Sequence, residues 1–166
     1  MTCNLDNKKG FSLLEIIVVM LLVGIMGALA SVGYVQVVKG MVFTKMNAAT
    51  IQKGQITITK LVKEFTNINV SSITTAGPAS ITFTTVKNGI TTPNTTVTIS
   101  GSTVTYGGDV LTDQVSGFTL KYYDNYDSTA QTTWQSSRRI IEITLKLTGA
   151  DGVESEFKAR VKPRNL

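Results

Sequence analysis

The chain has 166 residues, enough for one domain with a sizeable core and too few for two. Its formal charge of +5 is scattered and offset by eleven acidic residues, so no basic stripe marks a nucleic-acid partner. One cysteine, Cys3, and no histidine exclude an internal disulfide and the common zinc ligand sets. The apolar content of 42 % is unevenly placed: Leu, Ile, Val and Met are far denser in the first forty residues than in the rest, which is rich in Thr, Ser, Gly and Asn. That shift reads as a hydrophobic anchor joined to a small globular head.

In chain order, Lys8 and Lys9 come first, and basic residues before a span favour keeping that end in the cytoplasm. From Ile16 to Val38 there are 23 positions without a charge. As a helix they extend roughly 35 Å, enough for a ~30 Å hydrocarbon core. The run is apolar all round, which favours lipid over a soluble core. Gly24, Gly27, Ala28 and Ser31 are small enough to let a second helix approach. Glu15 is out of place here. A carboxylate deep in lipid costs roughly 2.5–3.5 kcal/mol, which marks it as functional unless it stays solvated near the interface. One reading of the segment is a conventional secretory signal, with Ala28-Leu29-Ala30 cut after Ala30 to release a β-rich binding protein. Glu15, and the apolar pattern continuing to Val38, argue against it.

The residues Lys8-Lys9-Gly10, Phe11-Ser12-Leu13-Leu14-Glu15 support a second reading. They resemble the prepilin leader of type IV pilins and type II secretion pseudopilins: a basic leader ending in Gly, then Phe, then an apolar helix with Glu fifth. The resemblance implies cleavage between Gly10 and Phe11 by a prepilin peptidase and methylation of the new amine on Phe11. It also implies pairing of Glu15 with that amine on an adjacent subunit during filament assembly. Its implied partners are the peptidase, other pilin or pseudopilin subunits, an inner-membrane assembly platform and the membrane itself. The implied location is a single pass of the inner membrane with the head in the periplasm, followed by a filament in the periplasm or at the cell surface. Many type IV pilins have a helix-breaking proline where this chain has Val32, so nothing here forces a kink.

Beyond Val38, Val35, Val38, Val42, Met46 and Ala49 form an apolar stripe, and Ile58, Leu61 and Phe65 form a second with Val62 beside it. One helix from about Ser12 to Phe65 is predicted, its second half packing on the head, with Gly40 and Gly54 weakening it by ~1 kcal/mol each. The predicted organisation is a leader at 1–10, a transmembrane and assembly half-helix at 11–38, and an amphipathic half-helix with a β-rich head at 39–166. Period-two runs follow: Ile81 and Phe83, Val97 and Ile99, a turn at Ser100-Gly101-Ser102, "TVTY", and a strand with a bulge around Gly117. Ile141, Ile143, Leu145 and Leu147 alternate with Glu142, Thr144 and Lys146, turn at Asp151-Gly152, and return through Val153, Phe157, Ala159 and Val161. Five or so antiparallel strands covered by the helix give an α+β fold. The late hairpin ending "ARVKPRNL", after "VSGFTLKYYDNYD", resembles J-type minor pseudopilins and related minor pilins.

No catalytic set is visible, so a structural subunit is expected rather than an enzyme. Gly107-Gly108 reads as a turn. Asp124, Asn125 and Asp127 in "DNYDS" are candidate calcium ligands, and some pseudopilins bind calcium in a head loop. Their spacing does not match an EF-hand, and a solvated polar loop is the preferred reading, with no cofactor expected. Tyr122, Tyr123, Tyr126 and Trp134 are read as part core and part contact surface, and Arg138 and Arg139 as exposed strand-end charges.

Overall fold

The structure, a computed structural model, describes residues 10–87 and 89–164. The leader residues Lys8 and Lys9, and Cys3, lie outside the described residues. The chain divides into two units between Val42 and Phe43. One helix, α1, Leu13–Thr66, supplies residues to both, close to the predicted bounds.

In the first unit the α1 residues up to Val42 are all exposed, including Leu13, Met20, Met26 and Leu29. The segment is long and apolar enough to cross a membrane. In the second unit α1 buries Thr50, Gly54, Thr57, Leu61, Glu64 and Phe65. These are spaced three or four apart, so they form one helical face. Leu61 and Phe65 are the apolar end of that face, and Ile58 and Val62 pack beside them, as the second stripe predicts. Within this unit the end of the first stripe, Met46 and Ala49, stays exposed. Small and hydroxylated residues make the closer approach in their place. Thr50 returns its hydroxyl to the Met46 carbonyl (3.1 Å), so its burial leaves no orphan donor.

Nine strands follow: β1 (Ile68–Asn69), β2 (Thr75–Ala76), β3 (Ser80–Lys87), β4 (Ile90–Ser100), β5 (Thr103–Tyr106), β6 (Asp109–Thr112), β7 (Val115–Tyr123), β8 (Ile140–Thr148) and β9 (Glu154–Val161), three of them (β1, β2 and β6) outside the predicted runs. They form two antiparallel sheets, ordered β1-β3-β4-β5-β6, with β2 also on β3, and β7-β8-β9. The period-two runs land as strands with Ile81, Phe83 and Val97 buried. Gly101, Gly107 and Gly108 take positive φ in the tight turns flanking β5. The register slip between Val115 and Gly117 is the expected bulge.

Asp151 (φ +54) and Gly152 (φ +75) turn β8 into β9, with the Val153 N–H donating to Ala150 O (3.2 Å). Val153 itself stays exposed. The helix reads this turn directly: Asn47 Oδ1 accepts from the Ala150 N–H at 2.9 Å. The core gathers Leu61 and Phe65 against Phe83, Val97, Leu120, Ile141, Ile143 and Leu145. Phe65 meets Phe83 edge to face at 5.5 Å. Tyr122, wholly buried, donates its hydroxyl to Gly77 O (2.9 Å), and the Leu120 N–H donates to Pro78 O (2.7 Å), so the two sheets are joined by hydrogen bonds as well as by apolar burial.

Candidate functional site

The first turn of α1 shows how the sequence sets the start of the helix. Ser12 precedes it, its carbonyl accepting from the Glu15 and Ile16 N–H groups (3.0 and 3.2 Å) and its hydroxyl lying 3.4 Å from the Glu15 N. Ser-x-x-Glu is the pattern of a capping box. Glu15 therefore stands in the first turn, at the positive end of the helix dipole. Sequence reasoning missed this local role, although "SLLE" carries its signal. Phe11 and Glu15 border one shallow apolar hollow with Ile16, Val19 and Met20. From Gly10 to Val38, Glu15 is the one charged residue. Around Gly24, Gly27 and Gly33 an added Cβ would meet nothing within 4 Å, and Ser31 Oγ is satisfied by donating to Ala28 O (2.8 Å). The small residues thus leave room on the helix surface for another backbone.

In the head, the Asp124–Ser128 loop is closed by Ser128, whose Oγ accepts from the Asp124 and Asn125 N–H groups (3.1 Å each) and donates to Asn125 O (2.8 Å). Asp127 is exposed. Among the described residues no three Asp, Glu, Cys or His side chains gather closely enough to hold a metal ion. Of the aromatic residues, Tyr122 and Tyr123 are core, Trp134 is half-buried against Tyr122, and Tyr126 is exposed. Arg139 is exposed as expected, but Arg138 is not: only 8 % of its side chain is accessible. The loop between β7 and β8 folds back on the end of β7, pairing Gln131 with Tyr122 through two backbone hydrogen bonds.

Two buried carboxylates stand out. Glu64 receives Lys87 Nζ (2.5 Å) and the Tyr106 hydroxyl (2.7 Å), tying the end of α1 to β3 and β5. Glu142, on the outward face of β8, is fully buried under residues of β7 and β9: Arg160 Nε at 2.6 Å, Lys158 Nζ at 3.1 Å in an ion pair not aligned as a hydrogen bond, and the Tyr123 ring beneath the Arg160 guanidinium. Burial pushes both carboxyls up, but Lys87 and Tyr106 in one case, and Arg160 and Lys158 in the other, outweigh it and hold each below its ordinary value. The same pairing, added to burial, pushes the Tyr106 hydroxyl up. These groups serve as ties within the head.

A helix-first antiparallel α+β chain, its helix opening on an uncovered apolar stretch with one carboxylate at its head, has a pilin-like architecture. Compared with known families, residues 5–31 match the family model described as the prokaryotic N-terminal methylation motif. The match spans Gly10, Phe11 and Glu15 and supports the resemblance to type IV pilins and pseudopilins, which are structural subunits processed by a prepilin peptidase. No curated protein and no solved structure matches the chain.

Proposed function

We propose that this chain is a minor pilin or pseudopilin of a type IV pilus-like or type II secretion filament. Residues 1–10 are the leader, 11–38 the assembly half of the helix, and 39–166 the rest of the helix with the head. The peptidase cuts between Gly10 and Phe11 and methylates the Phe11 amine. The chain starts as a single pass of the inner membrane with its head in the periplasm, and moves through the assembly platform into a filament in the periplasm or at the surface. The carrying observation is Glu15: a lone carboxylate in the first turn of an exposed apolar helix. Cleavage would put a positive amine two residues before that helix, beside the positive end of its dipole, where a cation is unfavourable. A carboxylate from a neighbouring subunit would relieve that clash, and in a water-poor bundle the attraction would set axial register. Within this class, the β8–β9 hairpin running into Lys162-Pro163-Arg164 favours a J-type minor pseudopilin.

The test is coexpression with a prepilin peptidase and partner pilins. Mass spectrometry of the mature chain is expected to find methylated Phe11 at the amino terminus; Ser31 there would support a conventional signal instead. Glu15→Ala is expected to lower recovery of partner subunits at least about tenfold, since removing one member of a buried ion pair costs roughly 3–5 kcal/mol. Undiminished recovery refutes the assembly role of Glu15.

A further inference from the structure

The Asp124–Ser128 loop has the composition of a cation site, yet the chain supplies cations of its own to it. Asp124 Oδ1 accepts from Ser137 Oγ (3.3 Å) and lies 4.0 Å from Arg138 Nε. Arg138 is almost wholly buried. Its Nη2 donates to Gln135 Oε1 (3.1 Å), while Nε and Nη1 find no hydrogen-bond acceptor among the described residues. Buried guanidinium N–H groups without acceptors are costly, and Asp124 is the charged acceptor beside them. Asp124 is half-exposed, so a small rotation of its side chain closes the pair.

From the other side, Arg160 Nη1 donates to Tyr126 O (3.1 Å), and its guanidinium lies over the Tyr126 ring at 5.0 Å. Arg160 is itself fixed by the buried Glu142.

We propose that the Asp124–Ser128 loop is ordered by Arg138 and Arg160, with Arg138 standing where a calcium ion would stand. The geometry does not fit the metal. Calcium takes six to eight oxygens at about 2.3–2.6 Å. Here the Asn125 and Tyr126 carbonyls already accept hydrogen bonds, and the Asp124 carboxylate faces a permanent cation. A dication added at Asp124 would be set against that guanidinium in a partly dry site. The arrangement has a consequence that a metal site lacks: the loop, with its exposed Tyr126, keeps its shape whatever the calcium level around it.

The test is amide hydrogen exchange on the full chain in detergent. Exchange of residues 124–128 in the wild type is expected to be the same in millimolar calcium and in EDTA; protection gained only with calcium overturns the proposal. Asp124→Asn and Arg138→Met are each expected to speed exchange there about tenfold, as the loss of one partly buried ion pair does, and to leave β7 and β8 amides unchanged. The double variant should exchange no faster than the faster single one. Asp124→Asn removes no buried group, so it decides the matter even where Arg138→Met fails to fold: wild-type exchange in that variant refutes the idea.

Discussion

Gly54 shows how much of this head depends on the absence of a side chain. A Cβ built there would lie 2.2 Å from Phe157 Cε2 and 2.4 Å from Cζ, so the helix rests directly on the ring. Glycine in a helix interior normally costs ~1 kcal/mol, and the sequence pattern registers only that cost. In the folded head it is offset by the contact with β9 that a bare Cα permits. We expect Gly54→Ala to destabilise the head by about 1–3 kcal/mol in spite of its better helix propensity, because the ring is held between helix and sheet. Phe157→Leu in the same chain should recover part of the loss, and chemical denaturation followed by Trp134 fluorescence measures both. Gly149 is a parallel case, where a Cβ would fall 2.2 Å from the Asn47 oxygen that holds the β8–β9 turn. Glu142 and Arg138 were harder to read for the opposite reason. Alternation places Glu142 on the outward face, which is correct, but its cover comes from Lys158 and Arg160 on the next strand. Burial of a charged residue by partners distant in sequence leaves no local periodic trace.

At the scale of elements, the legible parts were those with a period and a turn. The long helix, the β8–β9 hairpin and the bulge in β7 all carry apolar spacing that the fold keeps. β1 and β2, at two residues each, and β6, at four, are too short to show alternation, and their pairing with β3 and β5 is a product of the tertiary fold. The face that α1 presents to the sheets was misread for a physical reason. Its sheet-packed positions before Leu61 are Thr50, Gly54 and Thr57, whose value lies in close approach and not in hydrophobicity, whereas Met46 and Ala49 are apolar but exposed. A paired substitution separates the two faces. Ala49→Lys is expected to change head stability by less than about 0.5 kcal/mol, as at other exposed positions. Leu61→Ala, at a fully buried site, is expected to cost about 2–5 kcal/mol. A large loss for Ala49→Lys would restore the apolar stripe as the packing face.

For the molecule as a whole, the two buried carboxylates link stability to pH. Glu64 ties the end of the helix to β3 and β5, and Glu142 ties β8 to β9 and, through Arg160, to the Tyr126 loop. Both are held below the ordinary carboxyl value of 4.5 in the folded head. A group whose folded pKa is depressed binds its proton more readily in the unfolded chain, so its contribution is complete above the unfolded value and is lost as pH falls through the folded one. Lys53–Asp113 adds a further lowered carboxyl, but with both partners about half-exposed its share is screened. Head stability is therefore expected to be level from neutral pH down to about 5 and to fall below about 4.5. Glu142→Gln gives the decisive comparison. At pH 7 it leaves Arg160 and Lys158 without their shared anion, and its thermal midpoint should lie roughly 5–10 °C below wild type. As pH falls the wild-type carboxyl takes up a proton and comes to resemble the amide, so the gap between the two midpoints should shrink through the acid range. A gap that stays constant from pH 7 to pH 3 would mean that Glu142 supports the head through shape and packing, with its charge contributing nothing.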